Sequence, residues 1–155
     1  MTTQTELKIG QDAPDFKLFG YSVAYPNGEY SISQFKGKGN IILAFYPKDD
    51  TPGCTTENCA FRDDLLKFEA TNTQIFGISC DDLKSHEAFA KKFNFTHPLL
   101  ADVGGEAAKK YGTFQEGKGY ASRKLFIIDK QGKIQKIIDG VPSNSELIEF
   151  VKNLK

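Results

Sequence analysis

The sequence lacks the features that would place it in a membrane or on a nucleic acid. It has no run of about 18 apolar residues, so no transmembrane helix is expected. Its opening residues, MTTQTELKIG, have neither the basic nor the apolar region of a secretory signal peptide. Twenty basic residues balance twenty acidic ones without a basic block, which argues against nucleic acid or an anionic membrane as the main partner. We therefore expect a cytoplasmic protein.

Cysteine and arginine are also scarce. Three cysteines in 155 residues are more typical of reactive or buried thiols than of a structural disulfide framework. Arg62 and Arg123 stand alone among lysines in the basic set, so each arginine is a candidate for a specific role. The length fits one domain with its own core. Residues 1–8 are mostly polar and expected to be loose.

Strand and helix patterns alternate along the chain, which predicts an α/β domain with a central mixed sheet flanked by helices. An N-terminal hairpin is expected around Asn27-Gly28, because this dipeptide is a strong turn signal. The other predicted strands cover residues 15–18, 41–46, 73–80, 124–129 and 133–139, the last two joined as a hairpin. Helices are predicted over residues 54–70, 83–93 and 105–111 and after Ser143, with Glu146 completing a capping box. On the helix at 83–93, Ala88, Phe89 and Phe93 should share the buried face.

One stretch, NIILAFYPKDDTPGCTTENC at residues 40–59, combines a buried strand, a polar loop and a helix start. Thr51 followed by Pro52 predicts an N-cap and a first helical position. Cys54 then lies in the first helical turn, where free N–H groups and the helix dipole stabilise a thiolate. The simpler alternative is that Cys54 is a buried small hydrophobe. Its position after the carboxyl end of a central strand favours a functional site.

Pro47, Thr51 and Cys54 form the pattern P-x-x-x-T-x-x-C, and a second cysteine follows at Cys59. This pattern resembles the active-site signature of peroxiredoxins, and the string YPKDDTPGCTTENC is similar to the bacterioferritin comigratory protein or peroxiredoxin Q subgroup. The resemblance runs from about Ile9 to Val151. It implies a thioredoxin-like fold and thiol-dependent reduction of hydrogen peroxide and organic hydroperoxides. It also implies recycling by thioredoxin or a similar dithiol, with no cofactor or metal.

The resemblance assigns roles to four further residues. Thr51 would hydrogen-bond at the catalytic cysteine and orient the peroxide, and Pro47 would shield the thiolate from water. Glu57 shares a helix face with Cys54 and would disfavour the thiolate unless a cation lay nearby. The family places an arginine there, held by the glutamate, and Arg123 matches it within an R-S-T-F-type string.

In this string Lys124 and Leu125 replace the two hydroxyl residues, which leaves the local hydrogen bonding of Arg123 open. A solvated arginine at a strand start is the alternative. The second arginine, Arg62, is expected to be a solvated or ion-paired helix residue.

The resemblance also implies that Cys59 resolves the oxidised Cys54 through an intramolecular disulfide. Five residues apart on an ideal helix, their Cα atoms lie about 8–9 Å apart, whereas a disulfide needs less than about 7 Å. The first turns of the helix must therefore unwind if the two cysteines join. The alternative is that Cys59 is a core cysteine that never reacts.

Cys80 is expected to be an inert core thiol at the end of a strand, and His86 and His97 a helix-surface and a loop histidine. Two other kinds of site fit poorly, because a zinc or disulfide-oxidoreductase site needs C-x-x-C and an iron–sulfur motif needs a third nearby cysteine. A non-catalytic redox sensor or holdase, which would pass oxidation of Cys54 to a partner, stays open. For the assembly we expect a monomer or a weak homodimer.

Overall fold

The computed structural model describes residues 7–154 of the chain. Its strands are β1 (Lys17–Tyr21), β2 (Gly28–Ser31), β3 (Asn40–Phe45), β4 (Thr73–Ser79), β5 (Leu99–Ala101), β6 (Phe114–Gln115), β7 (Tyr120–Ala121), β8 (Lys124–Ile128) and β9 (Ile134–Asp139). Its helices are α1 (Pro52–Asp63), α2 (Leu65–Ala70), α3 (Leu83–Phe93), α4 (Glu106–Lys110) and α5 (Asn144–Lys152), and a 3₁₀ turn lies at Ser33–Phe35.

Seven of these strands form one sheet in the order β2-β1-β5-β4-β3-β8-β9. β3, β4 and β5 are parallel neighbours, whereas β8 runs antiparallel to β3 and β9 antiparallel to β8. The predicted α/β class with a central mixed sheet is confirmed. Because β3 and β4 are parallel, the chain leaves both strands at the same edge of the sheet. The Asp49 N–H after β3 accordingly donates to the Asp81 carboxylate after β4, at 2.8 Å.

β3 lies inside the sheet, between β4 and β8, and all six of its residues are buried. Successive side chains of a strand point to opposite faces of the sheet. Leu43 and Phe45 accordingly join a core cluster that includes α4 residues, while Ile42 and Ala44 join a cluster with residues of α1, α2 and α5. Packing on both faces fixes the carboxyl end of β3, and with it the start of the loop that leads to Cys54.

The N-terminal hairpin is present and extends the central sheet, because β1 pairs with β2 on one side and with β5 on the other. β1 begins at Lys17 rather than at Asp15. The connection between β1 and β2 spans residues 22–27, and the φ angle of Gly28 is not positive. The Asn27-Gly28 pair therefore does not form the two-residue turn for which it is the usual signal. Leu7 packs against the larger core cluster, and residues 1–6 of the segment expected to be loose lie outside the described residues.

The helix predicted over residues 54–70 is in fact two helices, with Asp64 between them at φ −110° and ψ 15°. The side chain of Asn144 donates to the Ala60 carbonyl at 2.8 Å and to the Asp64 carboxylate at 2.9 Å. This side chain from the last helix ends α1, which explains a break that periodicity alone does not predict. Within residues 7–154, no helix has the length and apolar character to cross a bilayer.

The bounds predicted for α3 are confirmed, but its buried face is different. His86, Phe89 and Ala90 are buried, whereas Ala88 is exposed and Phe93 is half-buried. The prediction that His86 lies on the helix surface is therefore wrong. The short strands β6 and β7 were not predicted, since two residues carry no periodicity.

The N-cap predicted at Ser143, one half of the capping box, is confirmed. The Ser143 hydroxyl accepts the Glu146 backbone N–H at 3.2 Å, and α5 begins at the next residue, Asn144.

Candidate active site

The loop after β3 delivers Cys54 to the first turn of α1. Thr51 has extended backbone angles (φ −105°, ψ 154°) and Pro52 is the first helical residue, so the predicted helix start is confirmed. The Thr51 side chain does not cap the helix, however. Its hydroxyl donates to the Lys48 carbonyl at 2.8 Å and closes the loop instead. Pro47 lies half-buried at the beginning of this loop, directly after buried Tyr46.

Arg123 contacts both Cys54 and Glu57. Its Nη2 donates to Cys54 Sγ at 3.1 Å and its Nη1 donates to Glu57 Oε1 at 2.9 Å. The sheet explains the contact, because Arg123 directly precedes β8 and the first residue of β8 pairs with Phe45 at the end of β3. Gly53 leaves room for the guanidinium, since a Cβ at this position would lie 2.9 Å from Nη2.

Burial governs the charges of this site. It raises the pKa of Glu57 to about 7, although Arg123 acts in the opposite direction. Burial alone would lower the pKa of Arg123, but the hydrogen bond to Cys54 and the charges of Cys54 and Glu57 together hold it above its usual value. Arg123 thus carries a full positive charge against the sulfur, while its acidic partner is only partly ionised near neutral pH.

The loop before Cys54 is held against α3 through Asp49, a contact that no local sequence pattern predicts. The Asp49 carboxylate accepts hydrogen bonds from the hydroxyls of Tyr46 at 2.6 Å and Ser85 at 2.8 Å, and it lies 2.7 Å from His86 Nδ1. The other ring nitrogen of His86 donates to the Leu100 carbonyl at 2.8 Å. This buried network holds the loop at its first half.

The second half of the same loop is held at the surface. Asp50 has a positive φ of 57° and forms an ion pair with Lys92 at 2.9 Å. Aspartate tolerates this left-handed conformation better than most residues with a side chain. The loop is therefore anchored to α3 at two consecutive residues, Asp49 and Asp50.

Cys59 lies on the intact helix α1, half-buried and packed against the cluster that contains Cys54, Tyr46 and Phe89. Both thiols are free. Helical geometry keeps their Cα atoms beyond disulfide range, as the spacing predicts. The structure is thus a reduced form in which the two sulfurs do not meet.

Cys80, Arg62 and His97 are not part of the contact between Arg123, Cys54 and Glu57. Cys80 is a free, half-buried thiol, and burial together with the charge of Asp102 raises its pKa to about 11. Arg62 donates to the Asp63 carboxylate at 2.9 Å and to the Phe93 carbonyl at 2.7 Å, so the prediction of an ion-paired helix residue is confirmed. His97 lies in a loop, as predicted, but is buried. In the described part of the chain, no three His, Cys, Asp or Glu residues are grouped to hold a metal ion.

Comparisons with known proteins identify the family of the chain. The AhpC/TSA family model matches residues 9–137. The chain is similar to the chloroplastic peroxiredoxin Q of Triticum aestivum, with 44% identity over 129 residues that cover 80% of this chain and 59% of the relative. It is 37% identical to a putative peroxiredoxin bcp of Coxiella burnetii over 155 residues, covering 96% of this chain and 99% of that one. The chain thus spans only about three fifths of the wheat relative but nearly all of the bacterial one.

Solved structures share the fold. The peroxidoxin BcpB of Mycobacterium tuberculosis superposes with a TM-score of 0.86 and 28% identity, covering 96% of this chain and 99% of that one. The reduced 2-Cys peroxiredoxin of Plasmodium vivax gives a TM-score of 0.88 at 28% identity, covering 94% and 80%. The fold is therefore that of the thioredoxin-like peroxiredoxins. By its family model, its relatives and its fold, the chain belongs to the AhpC/TSA family of peroxiredoxins.

Proposed function

We propose that this protein is a two-cysteine thiol peroxidase that reduces hydrogen peroxide and organic hydroperoxides. The observation that carries the proposal is the 3.1 Å contact between Arg123 Nη2 and the buried Cys54 sulfur in the first turn of a helix. A fixed cation and a helix N-terminus both favour the thiolate over the thiol. A thiolate in a dry site is the nucleophile that peroxide chemistry requires.

In the first step the Cys54 thiolate attacks one peroxide oxygen and the O–O bond breaks. Cys54 is oxidised to a sulfenic acid, and the other oxygen leaves as water or an alcohol after taking a proton. Arg123 stabilises the negative charge on the departing oxygen. Glu57 orients Arg123, Thr51 orients the peroxide, and Pro47 limits the access of water to the sulfur.

In the second step the Cys59 thiol condenses with the sulfenic acid, releasing water and forming the Cys54–Cys59 disulfide. An external dithiol, thioredoxin or a similar protein, then reduces this disulfide by thiol–disulfide exchange and is itself oxidised. The assignment of Cys59 rests on the resemblance to the peroxiredoxin Q subgroup, which places its resolving cysteine five residues after the catalytic one. We further propose that the protein works in the cytoplasm, which the likeness to the bacterial relative supports, and that it acts as a monomer or a weak homodimer.

The test is peroxide-dependent oxidation of NADPH in the presence of thioredoxin and thioredoxin reductase. Wild type should turn over, and Cys54→Ser should reduce turnover to background while its near-equal volume leaves the fold intact. Cys80→Ser is the matched control, since it makes the same chemical change at the other strand end and should retain activity. Turnover by Cys54→Ser, or a Cys54–Cys80 bond in mass spectra of the oxidised protein, would contradict the proposal.

The unwinding required for the disulfide has its own test by hydrogen exchange. Amides of residues 54–60 should lose protection in the oxidised protein, while β3 stays unchanged. Cys59→Ser should keep protection under peroxide and accumulate sulfinic acid at Cys54. Equal protection of residues 54–60 in both redox states would exclude the unwinding model and point to an intermolecular partner for Cys54.

A further inference from the structure

A buried amide lies directly beneath the catalytic turn. The Asn58 side chain donates from Nδ2 to the backbone carbonyl of Cys54 at 2.9 Å, and its Oδ1 lies 2.9 Å from His97 Nε2. Both Asn58 and His97 are 1% exposed. Gly77 on β4 provides the space, since a Cβ there would lie 3.0 Å from Asn58 Oδ1. Asn58 therefore joins the nucleophile's own backbone to the sheet and to the segment that precedes β5.

The donor and the acceptor of each hydrogen bond between Cys54, Asn58 and His97 follow from the chemistry of the groups. A carbonyl can only accept, so the Cys54 oxygen requires the NH₂ group of Asn58 and leaves the amide oxygen facing His97. His97 must then carry its proton on Nε2. Its Nδ1 has no partner among residues 7–154, which is the arrangement of a neutral ring. Burial, reinforced by the charge of Arg62, lowers the pKa of His97 to about 3, so the ring stays neutral at the pH values where proteins work.

The Cys54 carbonyl belongs to the turn that a Cys54–Cys59 disulfide must open. In an α-helix the backbone N–H of Asn58 also donates to this carbonyl, because it lies four residues further on. The side chain of Asn58 therefore adds a second bond to the carbonyl at which unwinding begins. Opening the turn leaves the Asn58 amide buried without its acceptor, which opposes the opening.

We propose that Asn58, oriented by His97, is a positioning residue that holds the first turn of α1 closed over reduced Cys54. This inference rests on the proposed two-cysteine mechanism. We call the two hydrogen bonds of Asn58, to the Cys54 carbonyl and to His97, the clamp. The strength of the clamp sets how often the helix opens, and hence how fast Cys59 captures the sulfenic acid. A tighter clamp leaves the sulfenic acid exposed to a second peroxide for longer and favours sulfinic acid.

The double variant Asn58→Leu/His97→Phe removes the clamp. Replacing both partners with apolar groups of similar size leaves no buried polar group unpaired, so the fold should tolerate it. Phe at position 97 keeps the aromatic contacts that His97 makes with Phe61 and Phe95. Thr56→Val is the matched control, because Thr56 makes the same kind of bond, to the Pro52 carbonyl at 3.0 Å, on the exposed side of the helix.

The reduced protein gives the first readout, without any peroxide. Hydrogen exchange of residues 55–60 should be roughly five- to tenfold faster in the double variant, the factor expected for one lost side-chain hydrogen bond. Thr56→Val should exchange like wild type, since water replaces an exposed bond. Unchanged exchange in the double variant, with unchanged urea stability, would overturn the proposal. This measurement needs no peroxide, so it would give the same result if the proposed peroxidase function were wrong. Failure of the proposal for Asn58 can therefore be told apart from failure of the proposed function.

Under excess peroxide the double variant should form the Cys54–Cys59 disulfide faster and accumulate less sulfinic acid than wild type. The single variant His97→Gln, which keeps Asn58, should behave like wild type, because its amide NH₂ can donate to Asn58 Oδ1 as Nε2 does. If the double variant acted only through a general loss of packing, its urea midpoint would fall.

A measurement on the unmodified protein covers the case in which the double variant does not fold. Nuclear magnetic resonance should detect the Asn58 side-chain protons as slowly exchanging in the reduced protein and rapidly exchanging after oxidation. Slow exchange in both forms would show that the bond to Cys54 survives the disulfide, and the clamp would then have no role.

Discussion

Two cysteines of this chain follow the carboxyl ends of neighbouring parallel strands, yet their surroundings are opposite. Cys54, after β3, is fully buried in the first turn of a helix and receives a hydrogen bond from Arg123. Cys80 directly follows β4, where burial and the charge of Asp102 raise its pKa to about 11. A place at the strand ends is therefore insufficient for reactivity. The surroundings of the sulfur make the difference: a guanidinium at Cys54, burial together with a carboxylate at Cys80.

Both sites contain a buried carboxylate, which sharpens the comparison. Glu57 beside Cys54 is bonded to Arg123, whereas Asp102 accepts the N–H groups of Ala107 and Ala108 at the start of α4. The positive charge of Lys109 counteracts the effect of Asp102 on the pKa of Cys80 only weakly. The ion pair at Cys54 thus neutralises an unfavourable charge that persists at Cys80.

The largest effect is expected from Arg123→Ala, which makes the Cys54 site resemble that of Cys80. Without the cation, the negative charge on the leaving oxygen is no longer stabilised, so the peroxide step should slow by about 100-fold. Arg123→Lys should recover only part, because lysine cannot bond the sulfur and Glu57 with a rigid fork. Stopped-flow rates with hydrogen peroxide measure this.

Arg62→Ala is the control for that experiment. Arg62 lies on α1, the helix that carries Cys54, and it is bonded to Asp63 and to the Phe93 carbonyl. Its loss should leave the peroxide rate unchanged. If Arg123→Ala and Arg62→Ala react with peroxide at the same rate, the contact between Arg123 and Cys54 does not contribute to catalysis.

Glu57→Gln should change the pH dependence of stability. The folded protein holds the Glu57 proton up to a pKa of about 7, whereas the unfolded chain releases it near 4.5. The folded state therefore binds more protons between these values, and the free energy of unfolding falls as pH rises through this window. The difference corresponds to about 3 kcal/mol. Glutamine removes this pH dependence. The free energy of unfolding of the variant, measured with urea at pH 4.5, 6 and 7.5, should therefore increase relative to that of wild type as pH rises. The same pH dependence in both proteins would refute the linkage.

Gly53→Ala should separate activity from stability. Gly53 has no positive φ, and alanine is the better helix former. The new Cβ would nevertheless lie 2.9 Å from Arg123 Nη2 and displace the guanidinium from Cys54. We expect a peroxide step roughly tenfold slower, because displacement weakens the stabilisation that Arg123→Ala removes entirely, with an unchanged or higher melting temperature. In an Arg123→Ala background the same change should have no further effect, and an additive loss would show that Gly53 acts elsewhere.

Local patterns in the sequence predict much of this architecture. The apolar run of β3 and the bounds of α3 follow from periodicity, and Thr51-Pro52 locates Cys54 at a helix start. The approach of Arg123 to Cys54 was expected from the family resemblance alone. No local signal connects two residues 69 positions apart, and the antiparallel pairing of β8 with β3 is what joins them.

The polar pairs beneath the site could not be predicted in this way. Asp49 meets His86 and Asn58 meets His97 across 37 and 39 residues. A prediction from the pattern of apolar residues places histidine and asparagine at the surface, because burying them without a hydrogen-bond partner costs free energy. Each partner lies on a different element, so neither burial nor pairing is visible from one sequence.

The smallest effect should come from Asp102→Asn, which makes the Cys80 site slightly more like that of Cys54. In a Cys54→Ser/Cys59→Ser background Cys80 is the remaining thiol, and its alkylation by iodoacetamide should become fast only towards pH 11. Burial is the larger cause of the raised pKa, so removing the carboxylate charge should accelerate alkylation at pH 8 by only about threefold. The melting temperature must be followed alongside, because Asp102 also caps α4. Alkylation as fast as that of an exposed thiol, with melting unchanged, would mean that the carboxylate and not burial keeps Cys80 inert.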